Sequence, residues 1–182
     1  MNEKDTEEIK KKIQEVQKII TNFNEQSTIK DKNNAYFVLA SHQQSIGLYL
    51  DAKKTLESSL KENMNTNILQ SYAILLYNMG AKEAGIEYMD HVLHIASNIP
   101  NYWRSKIELA SDLHAGDNKY LDDLYNDALK STGEHIDIVT LYAQFLGKSG
   151  QKEKAIKYWG KAIALYPEEK ALYQQEIDAL KK

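Results

Sequence analysis

The chain of 182 residues contains no cysteine, only two prolines and only eight glycines. The missing cysteines exclude a disulfide framework, thiolate metal sites and a cysteine nucleophile. Because glycine and proline are scarce, the chain has few turn signals, whereas a sheet fold needs one about every 8 to 12 residues. Helix-forming residues such as Ala, Leu, Lys and Glu occur throughout the sequence. The composition therefore predicts an all-α protein.

Neither sign of charge dominates, since 23 Lys and Arg residues face 26 Asp and Glu residues, for a formal net charge of -3. Such a balance produces no long-range field that attracts nucleic acid or anionic lipid. The amino terminus lacks the hydrophobic core of a signal peptide, and no run of about 18 apolar residues occurs. We therefore expect a cytoplasmic protein with no nucleic-acid partner and no membrane association.

The clearest structural unit of the sequence lies between Ile136 and Pro167. Gly150 divides it into two apolar stripes at helical spacing, namely Val139, Tyr142, Ala143 and Leu146, then Ala155, Trp159 and Ala162. Glycine suits the left-handed end of a helix, so this pattern predicts a helical hairpin that turns at Gly150. The small Ala143 and Ala155 are expected where the helices cross, and Pro167 ends the second helix.

This unit recurs three times earlier in the chain. The expected turn glycines are Gly47, Gly80, Gly116 and Gly150, at separations of 33, 36 and 34 residues. The pair Tyr72-Ala73 of the second unit returns as Tyr142-Ala143 in the fourth. The first unit has Gln43 at the last large position. In the third unit Leu109, Ala110 and Leu113 are the expected core residues, with the register before Gly116 open by one residue.

The recurring unit resembles the tetratricopeptide repeat, in which large, small and aromatic residues followed by Pro occupy set positions in about 34 residues. The resemblance covers residues 33–182 and implies a right-handed superhelical solenoid of about four helical hairpins. The implied repeats are 33–65, 66–100, 101–135 and 136–167, followed by a capping helix in 168–182. Leu172, Tyr173, Ile177 and Leu180 of the capping helix are expected to face the fourth repeat.

Residues 1–32 are expected to form an amphipathic helix, from 5 to 25, and a polar linker. Asp5 or Thr6 is the predicted N-cap of this helix, which brings the expected total to ten helices. Its apolar stripe consists of Ile9, Ile13, Val16, Ile20 and Phe23. The 4-3-4-3 spacing fits the seam of a coiled coil, but it also fits a cap that packs on the first repeat. A cap within the chain and a homodimerisation helix are therefore both open, and we favour the cap.

Sites for chemistry are not evident in the sequence. His91 and His94 share a predicted helix face with Glu87, but no HExxH motif accompanies them. An acidic run lacks the alternating pattern of a calcium loop and is interpreted as a solvated helix face; it comprises Asp112, Asp117, Asp122, Asp123 and Asp127. No phosphate-binding glycine loop and no GxSxG elbow occurs. We therefore predict no catalysis, no cofactor and no metal.

The resemblance further implies a concave groove lined by the first helix of each hairpin. Residues of these helices outside the packing pattern are the candidate lining: Asn34, Phe37, Ser41, Gln44, Asn67, Gln70, Ile74, Tyr77, Arg104, Ile107, Asp137, Thr140 and Gln144. The amides among them can both donate to and accept from a peptide backbone. The large side chains Phe37 and Tyr77 are the predicted apolar anchors.

Some proteins of this family grip the acidic carboxy-terminal tails of chaperones with Lys, Arg and Asn. The matching positions here hold Phe37, Ser41, Ser71, Trp103 or Arg104, and Ile107 or Glu108, so most of the required charge is missing. We therefore predict a non-catalytic module that binds a neutral or apolar protein segment. The alternative is a structural protein that self-associates through its amino-terminal helix or a solenoid end. A weaker alternative is a regulator whose effector domain is on another chain.

Overall fold

The computed structural model describes residues 2–182, and every regular element in this range is helical. The elements are α1 (Glu3–Thr21), α2 (Ile29–Ser45), α3 (Tyr49–Glu62), α4 (Thr66–Asn78), α5 (Lys82–Ile95), α6 (Pro100–Leu113), α7 (Asn118–Thr132), α8 (Ile136–Lys148), α9 (Lys152–Leu165), a 3-10 turn (Pro167–Glu169) and α10 (Lys170–Leu180). The prediction of an all-α chain is confirmed. In the described part of the chain, no helix combines the length and the apolar character needed to cross a membrane.

The helices form two compact units. Unit 1 ends at Ile95 and contains α1 to α5, whereas unit 2 begins at Ala96 and contains α6 to α10. The boundary lies in the segment between α5 and α6, where the second predicted repeat meets the third. Each unit therefore contains two of the helical hairpins expected from the sequence.

In unit 1 the two hairpins are α2 with α3 and α4 with α5, and α3 packs against α4 to join them. Their shared core contains Ala40, Ala52, Leu56, Ile68, Tyr72, Leu75 and Leu76. Tyr72 belongs to the recurring Tyr-Ala pair of the sequence, and the other residues are apolar side chains of helices α2, α3 and α4. Burial of this core is the principal source of stability, since helices of this length are marginal in isolation.

The turn of each predicted hairpin is formed by the expected glycine. The backbone φ angles of Gly47, Gly80, Gly116 and Gly150 are 81°, 94°, 92° and 79°. A side chain is strained in this left-handed region, so glycine is strongly favoured at each turn. The repeated glycines therefore mark positions where the backbone needs a positive φ angle, and this signal can be seen in the sequence alone.

A second small residue sets the distance between paired helices. Ala52, Gly85 and Ala155 follow their turn glycines at the same interval, and all three are buried. A Cβ atom at Gly85 would lie 2.8 Å from the carbonyl oxygen of Ala73 and 2.9 Å from the Cβ of Tyr77. The backbones of α4 and α5 are therefore in close contact at this point.

Helix α1 packs against α2 and begins earlier than predicted. Its N-cap is Asn2, whose side-chain oxygen accepts a hydrogen bond of 2.9 Å from the backbone nitrogen of Asp5. The predicted start at Asp5 or Thr6 is wrong, because Asn2 already satisfies a first-turn donor. Ile13 is buried and the other residues of its apolar stripe are partly buried. This helix therefore covers an end of the first hairpin.

Helix α2 begins at Ile29 rather than near residue 33. Thr28 is its N-cap, and the Thr28 oxygen accepts a hydrogen bond of 3.1 Å from the backbone nitrogen of Asp31. The Thr28 hydroxyl in turn donates to the Asp31 carboxylate at 2.6 Å. This reciprocal cap explains why the last residues of the expected linker are helical.

In unit 2 the helices pack as α6 with α7 and α8 with α9, and α10 packs on α9. The buried stripe of α6 is Trp103, Ile107 and Ala110, while Leu109 and Leu113 remain partly exposed. Leu109 and Leu113 were therefore wrongly predicted as core residues of the third repeat. Trp103, Ile107 and Ala110 lie four and three residues apart and form the continuous apolar face of this helix.

The capping helix α10 buries Tyr173 and Ile177, which lie four residues apart on one face. The ring of Tyr173 stacks on that of Trp159 in α9, with centroids 5.7 Å apart. Leu172 is 52% exposed, so the prediction that it faces the fourth repeat is wrong. Successive helical residues point about 100° apart, and Leu172 therefore misses the face defined by Tyr173.

Candidate functional site

A cleft within unit 1 lies between the amino-terminal parts of α2 and α4, and its volume is about 820 Å³. Its lining consists of Ile29, Lys30, Asp31, Asn33, Asn34, Phe37, Asn65, Asn67, Ile68, Gln70 and Ser71. We call it the α2/α4 cleft. Both walls are first helices of hairpins, which is where the sequence predicts the groove.

Four predicted groove residues meet in this cleft. They are Asn34, Phe37, Asn67 and Gln70, two from each wall. Phe37 is 44% exposed although it is one of the largest apolar side chains of the unit. The exposed Ile29, which sequence reasoning missed, adds a second apolar side chain near the start of α2. The cleft thus combines exposed apolar surface with amide groups.

Local hydrogen bonds hold the backbone and side chains of the cleft walls in place. The Asn65 side-chain oxygen caps α4 by accepting from the backbone nitrogens of Asn67 and Ile68, at 2.9 and 3.3 Å. Across the hairpin, the Ser59 hydroxyl donates to the Asn33 side chain at 3.1 Å. These bonds order the polar walls before any ligand arrives, which lowers the entropic cost of binding.

The charge of the cleft is balanced. Among its described lining residues only Lys30 and Asp31 carry charge, and they are opposite in sign and adjacent in sequence. Five of the eleven lining residues are Asn or Gln, whose side chains both donate and accept hydrogen bonds. The chemistry available is therefore neutral hydrogen bonding beside apolar contact.

The remaining unit 1 candidates lie outside this lining. Ser41, Gln44 and Ile74 are farther along the same two helices, with Ser41 exposed and the other two partly buried. The prediction that Tyr77 is a groove anchor is wrong, because its side chain is only 8% exposed. The close approach of α5 at Gly85 covers Tyr77, and the Lys82 amine lies 5.1 Å from its ring centroid.

The unit 2 candidates are dispersed. Arg104 forms an exposed ion pair with Glu108 at 3.0 Å, and the Thr140 hydroxyl donates to the Ile136 carbonyl at 3.0 Å. Asp137 is exposed in the first turn of α8, and Gln144 lines a smaller cleft between α6, α7 and α8. Ile107, predicted to face the groove, is instead buried in the α6 stripe described above.

Sequence reasoning missed a set of tyrosine–carboxylate hydrogen bonds between helices. The Tyr36 hydroxyl donates to Glu62 at 2.8 Å, and the Tyr142 hydroxyl donates to Asp122. Burial, with the hydrogen bond to Glu62, raises the pKa of Tyr36 to about 12. Asp122 was interpreted as part of a solvated acidic face, but it is partly buried and accepts this bond. No spacing rule identifies these partners, because the carboxylates are on neighbouring helices.

Among residues 2–182, no group of three or more His, Cys, Asp or Glu side chains is arranged to hold an ion. His91, one of the two histidines considered above, lies beside the ring of Tyr88 with centroids 6.0 Å apart.

Comparison with known proteins identifies the fold. No protein-family model matches the chain, and no curated protein matches it by sequence. Among solved structures, MamA from Desulfovibrio magneticus RS-1 is 20% identical over 84% of this chain and 85% of its own, with a TM-score of 0.57. BtubC from P. vanneervenii is 12% identical over 98% and 82% of the two chains, with a TM-score of 0.71.

A third solved structure, YrrB, is described as a TPR protein with an unusual peptide-binding site. It is 15% identical over 95% of this chain and 86% of its own, with a TM-score of 0.57. At these identities the comparisons concern the fold alone, and they agree with the arrangement of helical hairpins seen here. The chain therefore has the helical-hairpin fold of tetratricopeptide repeat proteins.

Proposed function

We propose that this chain is a non-catalytic protein–protein interaction module whose α2/α4 cleft binds a segment of a partner protein. The observation that carries the proposal is the convergence of Asn34, Phe37, Asn67 and Gln70 on one cleft of about 820 Å³. This volume lies within the range of about 300 to 1,000 Å³ that is common for ligand sites. The fold itself does not imply a partner, so the proposal depends on this cleft.

The cleft chemistry suits a polypeptide. Phe37 and Ile29 offer apolar contact to side chains of the segment, and the amides Asn34 and Gln70 can pair with its backbone. Aromatic anchors beside desolvated polar groups commonly contribute much of the binding free energy. The peptide-binding site named for YrrB supports the same mode of action on a similar fold.

The preferred segment is neutral. Lys30 and Asp31 offset each other, so an acidic tail gains little attraction here and loses part of its hydration. Ser41, Gln44 and Ile74 are proposed as further contacts of this segment in unit 1. Arg104, Asp137, Thr140 and Gln144 are proposed as binding residues within unit 2 by itself. A cytoplasmic location remains a prediction.

The test uses the intact chain as bait in an extract of its native host. The variant Phe37→Ala removes the proposed anchor, and Tyr49→Ala is a matched control because Phe37 and Tyr49 are 44% and 43% exposed. We expect a partner that is retained by the wild type and by Tyr49→Ala but lost with Phe37→Ala. Equal recovery by all three proteins would contradict binding at this cleft.

The alternative is self-association through an end of the chain. It draws support from Leu165, Tyr166 and Leu172, which are exposed around the junction of α9 and α10. Apolar side chains grouped on a surface favour association when another copy covers them. Sedimentation of Leu165→Ser with Leu172→Ser distinguishes the two cases. A mass lower than that of the wild type would support this alternative, and an identical monomeric mass would remove it.

A further inference from the structure

Unit 2 contains a second cleft, separate from the proposed peptide site of unit 1. It lies between the end of α6, the start of α7 and the second half of α8, and its volume is about 390 Å³. The residues that line it are Ser111, Ala115, Gly116, Asn118, Leu121, Tyr125, Leu141, Gln144, Phe145, Lys148 and Ser149. We call it the α6/α8 cleft.

One wall of this cleft is aromatic. The rings of Tyr125 and Phe145 are stacked with centroids 5.1 Å apart, and the ring of Tyr142 stacks on both, 5.0 Å from Tyr125 and 6.3 Å from Phe145. Tyr125 is buried, whereas Phe145 is only partly buried and lines the cleft. An aromatic side chain of a ligand can extend such a stack, since offset-stacked and edge contacts between rings are favourable.

The position of Phe145 is occupied by a buried leucine in the second hairpin of unit 1. Phe145 follows Tyr142 at the same interval at which Leu75 follows Tyr72. Leu75 is 0% exposed. In unit 1 a leucine at this position is therefore fully buried between the helices. A ring as large as that of Phe145 is not needed to fill the corresponding space.

The charge of the cleft is of one sign. Of its described lining residues, Lys148 alone is charged, and the corresponding position in unit 1 holds Asn78. The polar groups around Lys148 include the amide of Gln144 and the hydroxyl of Ser149. A cation beside an aromatic wall favours a ligand that carries a ring and a carboxylate close together.

We propose that the α6/α8 cleft binds a protein segment in which an aromatic side chain is adjacent to an acidic one. The ring stacks on Phe145, and the carboxylate pairs with Lys148 at the rim. This preference differs from that of the neutral α2/α4 cleft, so the two sites take segments of different chemistry. The inference rests on unit 2 alone and does not depend on the function proposed for unit 1.

The experiment titrates the full chain with fluorescently labelled Gly-Ser peptides that carry a central Phe-Glu, Phe-Gln or Ala-Glu pair. We expect saturable binding of the Phe-Glu peptide and weaker binding of the other two. Lys148→Gln should weaken Phe-Glu binding by about two- to fivefold, as expected for an exposed ion pair, and Lys148→Arg should restore it. Lys61→Gln, which removes a cation from the last turn of α3, should leave the affinity unchanged.

The aromatic contact is tested with Phe145→Leu, which introduces the residue that unit 1 has at this position. This variant should keep the helical content and cooperative unfolding of the wild type while losing most of its Phe-Glu binding. Equal affinity for the Phe-Glu and Phe-Gln peptides would overturn the inference. So would wild-type affinity in Lys148→Gln, or the absence of binding at millimolar peptide.

Discussion

The hydroxyl of Tyr72 in α4 donates a hydrogen bond of 2.9 Å to the carboxylate of Glu57 in α3. In unit 2, Tyr142 donates to Asp122 in the same way, from the first helix of a hairpin to the helix before it. Each of these tyrosines also makes an edge contact with a ring in the next helix. The centroids of Tyr72 and Tyr88 are 5.1 Å apart, and those of Tyr142 and Tyr158 are 4.6 Å apart. The recurring tyrosine therefore links three consecutive helices in each unit.

Removal of this hydroxyl measures its contribution to stability. Tyr72→Phe keeps the edge contact with Tyr88 but leaves Glu57 without this donor. Because Glu57 retains access to water, we expect the free energy of unfolding to fall by about 1 kcal/mol. Urea unfolding of Tyr72→Phe and of Glu57→Gln provides the measurement. A stability equal to that of the wild type would show that this hydrogen bond makes no net contribution to the free energy of unfolding.

The tyrosine–carboxylate bonds also predict a response to alkaline pH. Burial and Glu62 raise the pKa of Tyr36 from 10.0 to about 12 in the folded protein. Below pH 10 this tyrosine is protonated in both states, and its contribution to stability is complete. Between about pH 10 and 12 the unfolded chain loses the proton first, so this contribution decreases as the pH rises and is lost through the folded pKa.

An ultraviolet titration of tyrosinate, compared between the wild type and Tyr36→Phe, isolates this group. We expect the difference curve to have its midpoint near 12. The stability of the wild type should also decrease more steeply than that of Tyr36→Phe above pH 10. A midpoint near the ordinary value of 10.0 would mean that the Tyr36 hydroxyl is exposed and unbonded.

Two glycines inside helices predict opposite responses to alanine. A methyl group at Gly85 meets the backbone of α4 at 2.8 Å, so Gly85→Ala should destabilise the protein by about 1 to 3 kcal/mol through overpacking. At Gly160 in α9, apart from its chain neighbours and the adjacent backbone of its own helix, no described atom lies within 4 Å of the added Cβ. Gly160→Ala should therefore stabilise the protein by about 0.5 to 1 kcal/mol. Thermal or urea unfolding of the pair would refute this account if both variants changed stability in the same direction.

The role of α1 is tested by acidic substitutions on its apolar stripe. Ile13→Asp with Val16→Asp places carboxylates against α2, which should lower stability by about 2 to 4 kcal/mol without a change in solution mass. Ile19→Asp is the control, because Ile19 is on the same helix but exposed. Light scattering and thermal unfolding give the two readouts. A dimeric wild type that becomes a folded monomer in the double variant would instead support a seam between chains.

The hairpins could be predicted from the sequence because their signals are local. Each turn needs a residue with positive φ, and the four glycines supply it in the chain itself. The error at Tyr77 has a different origin, since its burial depends on how closely α5 approaches at Gly85. That distance is a property of two packed helices rather than of either sequence pattern.

Part of the candidate site could also be predicted from the sequence. Asn34 and Phe37 were identified because they lie outside the packing stripe of their helix. Ile29 was missed because the Thr28 cap, which makes it helical, was assigned to a linker. In the third repeat, alignment on Gly116 favoured Leu109, whereas Ile107 is the buried residue. These errors show that helix starts and rotation depend on caps and neighbouring helices as well as on periodicity.

Hydrogen–deuterium exchange of the intact chain with and without its captured partner segment tests the central claim most directly. We predict that the partner slows exchange in residues 29–37 and 65–71, which contain both walls of the α2/α4 cleft, and that Phe37→Ala abolishes this protection. Protection confined to α1 or to α10, with none in these two segments, would contradict the claim that the α2/α4 cleft is the binding site.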